Sequence, residues 1–424
     1  MANRLVAAVV AVLALAAPGA ARPQPPTLPK PAVLTFKVAQ VGDPGNPSVG
    51  IVPFTDAIYG SCAEAPAETN IGGKEKLPDP CQQVGNVPYR FGIGELEVTV
   101  AQYVAFLNTV DPLGRNTHHL YSETESGAAW PRFGQIDFAA GAPAGHHYTA
   151  AAPEWLDKPY AFANFLRSAR FANSLADGKV LARIPSSSDG FSYVTYRVRL
   201  SRRTSTGMYD MHKRAFTRDR RSGFVIPSQN EWIKAAYYDP TGGGTDSYWK
   251  YPTNPGTFGA KESDAPTPTQ LNPLDGNVLN AETQPLATFH QAETEAPAWC
   301  PSNQSQQACE TVNPLGLSAK AYAKAYQGSV GTVGQAKTFS PWGTLDQGGN
   351  AVEWTDTITA PPFGAKGRRV WRRLHGGIAN APAYQLWISA VGLQPQDNIF
   401  YTATYPWLGF RIGVIGALAG DGGR

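Results

Sequence analysis

Apolar residues in this chain recur at helical spacing in three places and alternate in one. Val100, Tyr103, Val104 and Leu107 fall at i, i+3, i+4 and i+7, which lines one face of a helix. Thr99 stands ahead of them with Gln102 at capping-box spacing, and Pro112 lies just past the predicted end. Phe162, Phe165, Leu166, Ala169 and Ala172 predict a second helix over 162–176, with Gly178 at its C-cap. Ser228 and Glu231 form another capping box, ahead of a third helix whose inner face is Trp232, Ala235 and Ala236. Between the second and third helices, Phe191, Tyr193, Thr195, Arg197 and Arg199 alternate with Ser192, Val194, Tyr196 and Val198, which predicts a strand. Phe91-Gly-Ile-Gly94 reads as a strand end; no third glycine follows at the spacing a nucleotide loop requires.

One stretch fits neither period: Pro341-Trp-Gly-Thr-Leu-Asp-Gln-Gly-Gly-Asn-Ala-Val-Glu-Trp-Thr-Asp356. Gly348 and Gly349 together cost a helix about 2 kcal/mol, so a tight turn leading into a strand from Val352 to Thr355 is predicted. Asp346, Asn350 and Glu353 bring oxygens to that turn, the donor type hard cations take. The plainer alternative is an Asx-rich turn that satisfies its own backbone.

Composition narrows the class. Charged residues make up 16%, while 43 Gly and 36 Pro among 424 residues favour turns and loops over long helices. A net charge of +3 gives no ground for a nucleic-acid partner or for binding to a membrane surface. Leu5 to Ala17 is an apolar run too short to span a bilayer. With Arg4 before it and Gly19-Ala-Ala21 after it, residues 1–21 read as a signal peptide, so a secreted or periplasmic protein without a membrane span is expected. Residues 22–34, rich in proline, read as a linker.

The four cysteines fall as local pairs, Cys62/Cys81 and Cys300/Cys309. An exported chain meets an oxidising compartment, which favours structural disulfides within each pair; three connectivities are open, and neither pair has the C-x-x-C spacing of a metal or redox site. His118-His119 and His146-His147 are read as surface residues, because neighbours on an extended chain point to opposite faces. Nine Lys/Arg between Arg197 and Arg221 face only Asp210 and Asp219, which fits a solvated hairpin insertion or, alternatively, a site for an anionic ligand.

Four segments, in order, carry a family resemblance. Gly94-Glu-Leu-Glu-Val-Thr-Val-Ala-Gln-Tyr-Val-Ala-Phe-Leu-Asn108 is similar to Y-E-V-T-N-A-Q-Y-A-A-F-L-N; Ile226-Pro-Ser-Gln-Asn-Glu-Trp-Ile-Lys-Ala-Ala236 to L-P-T-E-A-E-W-E-Y-A-A. Asp346–Trp354 resembles G-N-x-W-E-W, and Leu374-His-Gly-Gly377 with Leu408-Gly-Phe-Arg411 resembles the L-R-G-G-S and G-F-R ending. These are signatures of the formylglycine-generating enzyme (sulfatase-modifying factor) family, and the resemblance spans 35–414. It implies an α+β, C-type-lectin-like fold of short helices around a mixed sheet, with much loop. Insertions would lie near 197–221 and 290–326, and a Gly-rich tail over 415–424. It also implies structural calcium, held by the Asp346 carboxylate, the Gly349 and Ala351 carbonyls and the Glu353 carboxylate, with Asn280 and Ala281 at a second element.

The chain departs from the family where its chemistry lies. Formylglycine synthesis uses two thiolates after the G-G-S motif to bind copper(I), a soft ion. Ala381 and Leu386 stand at those positions, and no cysteine follows Cys309, so copper is not expected. The resemblance then implies a binding module for a glycan, peptide or protein ligand, with a cleft drawn from Asn380, Tyr384, Trp387, Tyr401, Tyr405 and Trp407. The alternative is an exported metal-dependent oxidoreductase on the same scaffold with unfamiliar ligands.

Overall fold

The structure, a computed structural model, describes residues 27–53, 58–59, 70–71, 75–76, 81–129, 134–242, 247–253, 265–272, 276–282, 285–289, 330–361, 369–379, 382–397 and 407–419. The segment read as a signal peptide, and the stretch 290–326 read as an insertion, lie outside them.

The main sheet is built from β1 (Val33–Val41), β2 (Phe91–Gly94), β3 (Lys179–Ser188), β4 (Phe191–Arg199) and β5 (Gly223–Val225). A smaller sheet contains β6 (Val352–Thr359), β7 (Trp371–His375), β8 (Gly392–Pro395) and β9 (Leu408–Gly409). β10 (Gly413–Ile415) returns the chain to the main sheet. The six-stranded order is β3-β4-β1-β2-β10-β5, antiparallel throughout. The four-stranded order is β8-β7-β6-β9, antiparallel except for the parallel β6–β9 pair.

Three α-helices are described: α1 (Val100–Val110), α2 (Phe165–Ala176) and α3 (Gln229–Tyr237). The molecule is therefore α+β, with few helices and mostly antiparallel sheet. None of the described helices is long and apolar enough to cross a membrane.

Both capping boxes form: Thr99 with Gln102 opens α1, and Ser228 with Glu231 opens α3. On α1 the buried apolar side chains are Val100, Tyr103, Phe106 and Leu107, with Thr109 buried beside them, so Phe106 takes the place the pattern gave to Val104. α2 begins at Phe165, three residues later than its periodicity suggests. Asn164 caps it, accepting from the Arg167 N–H at 2.9 Å, while Phe162 is still extended and bridges to Leu408. Gly178 is not a left-handed cap. Its glycine is required by close approach, since a Cβ there would lie 2.5 Å from the Arg199 carbonyl oxygen.

One apolar core joins the two sheets. Val38, Ile93, Tyr103, Phe171, Tyr196 and Val414 pack in the same cluster as Trp354 and Leu374. The basic stretch 197–221 differs from the expected solvated hairpin. Beyond Leu200 it has no strand until β5, and Met208, Tyr209 and Phe216 are buried in the core. Its cations remain largely solvent-facing, with Arg197, Arg199, Arg203, Lys213, Arg214, Arg220 and Arg221 exposed; Arg218 turns inward, meeting Glu231 and Asp356, each at 2.6 Å. At the chain's far end, Ile415 closes β10 and Gly416–Ala419 makes a 3-10 turn whose Leu418 carbonyl accepts from the Tyr196 hydroxyl. These residues belong to the packed body rather than to a tail.

Cys81 is buried and disulfide-bonded. Cys62, Cys300 and Cys309 lie outside the described residues, so the pairing stays an expectation. His118, His119 and His146 are exposed as expected. His147 is not: it is buried, with Nδ1 2.8 Å from the Ala139 carbonyl and its ring stacked on Phe138.

Candidate functional site

The Gly- and Asx-rich stretch ahead of β6 folds into a buried turn. Asp346 and Asn350 take left-handed backbone angles, with φ of 56° and 60°, which short polar side chains tolerate better than most. Each side chain holds the turn to a neighbouring loop: Asp346 Oδ2 accepts from the Gly334 N–H, and Asn350 Oδ1 accepts from the Gly331 N–H at 2.8 Å. Gly349, at φ 85°, permits the closest approach. A Cβ there would sit 2.0 Å from the Thr288 carbonyl oxygen, and its N–H donates to the Gly376 carbonyl. Four separate pieces of chain thus meet at this turn.

Behind the turn lies a group of buried charges. Arg411, with no exposed side-chain surface, donates to Glu353 through Nε (2.9 and 2.7 Å) and Nη2 (2.6 Å). It also donates to the carbonyls of Gly94, Glu95 and Leu345. The Trp232 indole N–H donates to Glu353 Oε2 at 2.9 Å. Glu353 is thereby held in a charge-assisted, bidentate pair with a further donor on its side.

Two more carboxylates share this interior. Burial, with Glu353 nearby, raises the Asp346 carboxyl to about 6, against the opposing pull of the Gly334 N–H and Arg411. Glu97 lies three residues past β2 and is 2% exposed, and neither carboxylate oxygen has a side-chain hydrogen-bond partner. Burial, then the Asp346 charge, holds its carboxyl well above the ordinary range. A third unpartnered group is His375 at the end of β7. Its ring stacks on Trp232 at 5.2 Å, neither nitrogen finds a partner, and burial lowers it to about 3.

Of the residues expected to hold calcium, Asp346 and Glu353 are in this interior. Gly349 abuts Thr288, and Ala351 is fully buried against Gly409. Asn280 braces a different loop: its Oδ1 accepts from the Gln270 N–H at 2.7 Å and its Nδ2 donates to the Pro268 carbonyl. Ala281 follows in the same turn. Among the described residues no set of three or more His, Cys, Asp and Glu side chains is arranged as a metal centre.

The expected cleft residues separate. Tyr384 is 44% exposed on a 3-10 turn, Ala383–Leu386, and its ring lies 6.0 Å from that of Trp387 at 60°. Trp387 is half-buried. Its indole N–H donates to the Tyr251 hydroxyl at 2.8 Å, and the Lys250 ammonium sits 4.7 Å from its ring centre. Trp407, by contrast, is buried. Asn380, Tyr401 and Tyr405 lie outside the described residues. Leu386, where the family would place a thiolate, is fully buried and its carbonyl accepts from the Tyr237 hydroxyl.

Glu97, Arg411 and His375 were not singled out by composition or spacing. The available signal was a charge set among apolar neighbours, as in Leu96-Glu-Val98 and Phe410-Arg-Ile412. Such a charge is buried and must find compensation.

No family model matches the chain, and no curated protein does. Among solved structures, variable protein 1 of Treponema denticola is 16% identical, over 87% of this chain and 95% of its own, at a TM-score of 0.36. CarF is 13% identical over 91% and 98%, at 0.38. PvdO from Pseudomonas aeruginosa is 12% identical over 93% and 100%, also at 0.38. Similarity at these scores carries no argument about fold or activity.

Proposed function

We propose that the chain is an exported, calcium-stabilised binding module, on a C-type-lectin-like scaffold resembling the formylglycine-generating enzymes, that recognises a glycan and makes no formylglycine. The supporting observation is the braced aromatic pair. Tyr384 is 44% exposed, and Trp387 beside it is fixed by Tyr251 and Lys250. Rings held rigid before binding lose little freedom when a sugar stacks on them. Leu386 packed in the core agrees with a site that has given up thiolate chemistry.

The test is a glycan array probed with wild-type protein and with Tyr384→Ala and Trp387→Ala. Binding by the wild type, weakened about tenfold or more in each variant, is the expected outcome; a tenfold loss corresponds to about 1.4 kcal/mol. Capture of peptides alone would replace the glycan by a peptide ligand. Aldehyde formation on a Cys-x-Pro-x-Arg peptide incubated with copper would overturn the reading.

A further inference from the structure

One face of the main sheet is open to solvent at the β1–β4–β3 end. On β1, Leu34 and Phe36 are buried, while Val33 and Thr35 alternate with them and are exposed. β4 repeats the pattern: Val194, Tyr196 and Val198 are buried, and Arg197 and Arg199 are exposed. The register sets these outward side chains beside those of β3. Val33, Arg199 and Lys179 form one row across the three strands; Thr35, Arg197 and Ala182 form the next; Lys37, Thr195 and Ile184 form the third. Neighbours within a row are about 5 Å apart, and successive rows about 7 Å. Lys179, Arg197 and Arg199 are thus crowded into one patch.

The fourth cation of this face, Lys37, is compensated: its ammonium meets Glu95 at 2.6 Å and lies 3.8 Å from the centre of the Tyr193 ring. The other three have no ion pair among the described residues. Lys179 stands directly opposite Arg199, and like charges so placed are destabilising unless an anion joins them. Apolar side chains are exposed among these cations. Val33 is 39% exposed and Ile184 52%, and Val180 and Leu181 add two more along the edge of β3. These are four of the nine large apolar side chains exposed among the described residues, so this surface is where they concentrate. Tyr384 is the aromatic one of the nine and lies on another element, so a base or sugar ring has nothing here to stack on. An added protein strand is opposed by the register shift at Leu181 and by Pro185, which has no N–H. Aliphatic side chains beside uncompensated cations suit a lipid surface, where phosphate headgroups lie over acyl chains.

We propose that this face of the main sheet docks on a membrane surface of anionic phospholipid, with Lys179, Arg197 and Arg199 on the headgroups and Val33 and Ile184 entering beneath them. The attachment is peripheral and reversible, because each cation contributes only about fivefold in affinity and the aliphatic side chains are too few to anchor the chain. The net charge of +3 hides the patch, since the balancing acids lie elsewhere in the sequence. The sheet face shares no residue with the Tyr384–Trp387 pair, so the membrane and glycan readings stand or fall separately.

The experiment is sedimentation of the full chain with vesicles of phosphatidylcholine alone and of equal parts phosphatidylcholine and phosphatidylglycerol. Wild type should sediment with the mixed vesicles and not with phosphatidylcholine, and added salt should release it. Lys179→Gln, Arg197→Gln and Arg199→Gln should each weaken binding about fivefold. Ile184→Ser should weaken it as well, which attraction between charges alone would not produce. Lys213→Gln is the control: it removes the same charge from an exposed side chain that already pairs with Asp219, and it should bind as wild type does. An equal loss in Lys213→Gln and Lys179→Gln would place the attraction in the overall charge and overturn the inference. So would failure of the wild type to sediment with the mixed vesicles, including the case in which it binds heparin instead. Release by excess glycerol phosphate would show a site for a single headgroup rather than a docking face, and would overturn it too. The substituted side chains are exposed, and circular dichroism of each variant should match the wild type; if one fails to fold, the remaining variants still decide.

Discussion

His375 is a residue whose ionisation the fold opposes. In the folded chain its imidazole is held to about 3, first by burial and then by Arg373, against an ordinary value near 6.5. The folded-state value is depressed, so the stability it contributes is complete above about 6.5 and is lost as pH falls toward 3. Over that window the unfolded chain takes up a proton that the native chain refuses. Stability should therefore fall by up to about 1.4 kcal/mol per pH unit from this group. His375→Phe keeps the ring against Trp232 and removes the titration. Urea unfolding of both proteins at pH 7, 5.5 and 4.5 checks this: the variant's advantage should grow as pH falls. An advantage that stays constant with pH would show that some other group sets the acid limb.

The elements divide into those whose signals are local and those whose signals are not. α1 and α3 were legible because a capping box is read within four residues, and Thr99, Gln102, Ser228 and Glu231 all form it. α2 was misplaced at its start because Phe162 continues the apolar spacing; only the hydrogen bond from Arg167 shows that Asn164 is the cap. β4 followed from its alternation, but β3 had no such pattern because almost all of its residues face solvent. In the basic stretch the solvent-facing charges were legible, but the absence of a hairpin was not, because its anchors, Met208, Tyr209 and Phe216, carry no periodic pattern. Asp346 and Glu353 stood out within one turn. Their companion Glu97 did not, because its neighbours in sequence are not its neighbours in space. β3 also carries a liability. It is an outer strand of the main sheet, with Val180, Leu181 and Ile184 exposed, Ile184 by 52%. An apolar outer strand invites pairing with another chain, and Pro185 is one natural protection against it. Ile184→Lys should slow aggregation on heating, measured by light scattering. It should change the unfolding free energy by no more than about 0.5 kcal/mol, as surface substitutions do.

At the scale of the whole molecule, Arg411 is the joint between the two sheets. It bonds to carbonyls that end β2, to Leu345 in the buried turn and to Glu353 on β6. Arg411→Met keeps the length of the side chain and leaves Glu353 buried without its counter-charge. The cost should be about 3–5 kcal/mol, the range for breaking one side of a buried pair. Tryptophan fluorescence and circular dichroism should report one shared, shifted transition, since a single core runs through both sheets. Two separated transitions would mean the sheets are held together by something else. The order in which the chain is made adds a consequence of its own. β2 lies between β1 and β10, and roughly 320 residues separate it from β10. At a synthesis rate of about 5–20 residues per second, one side of β2 waits some 15–60 s for its neighbour. During that interval the emerging chain has no closed sheet to resist being held extended or threaded, and an outside strand that reaches β2 first can take the place meant for Gly413–Ile415.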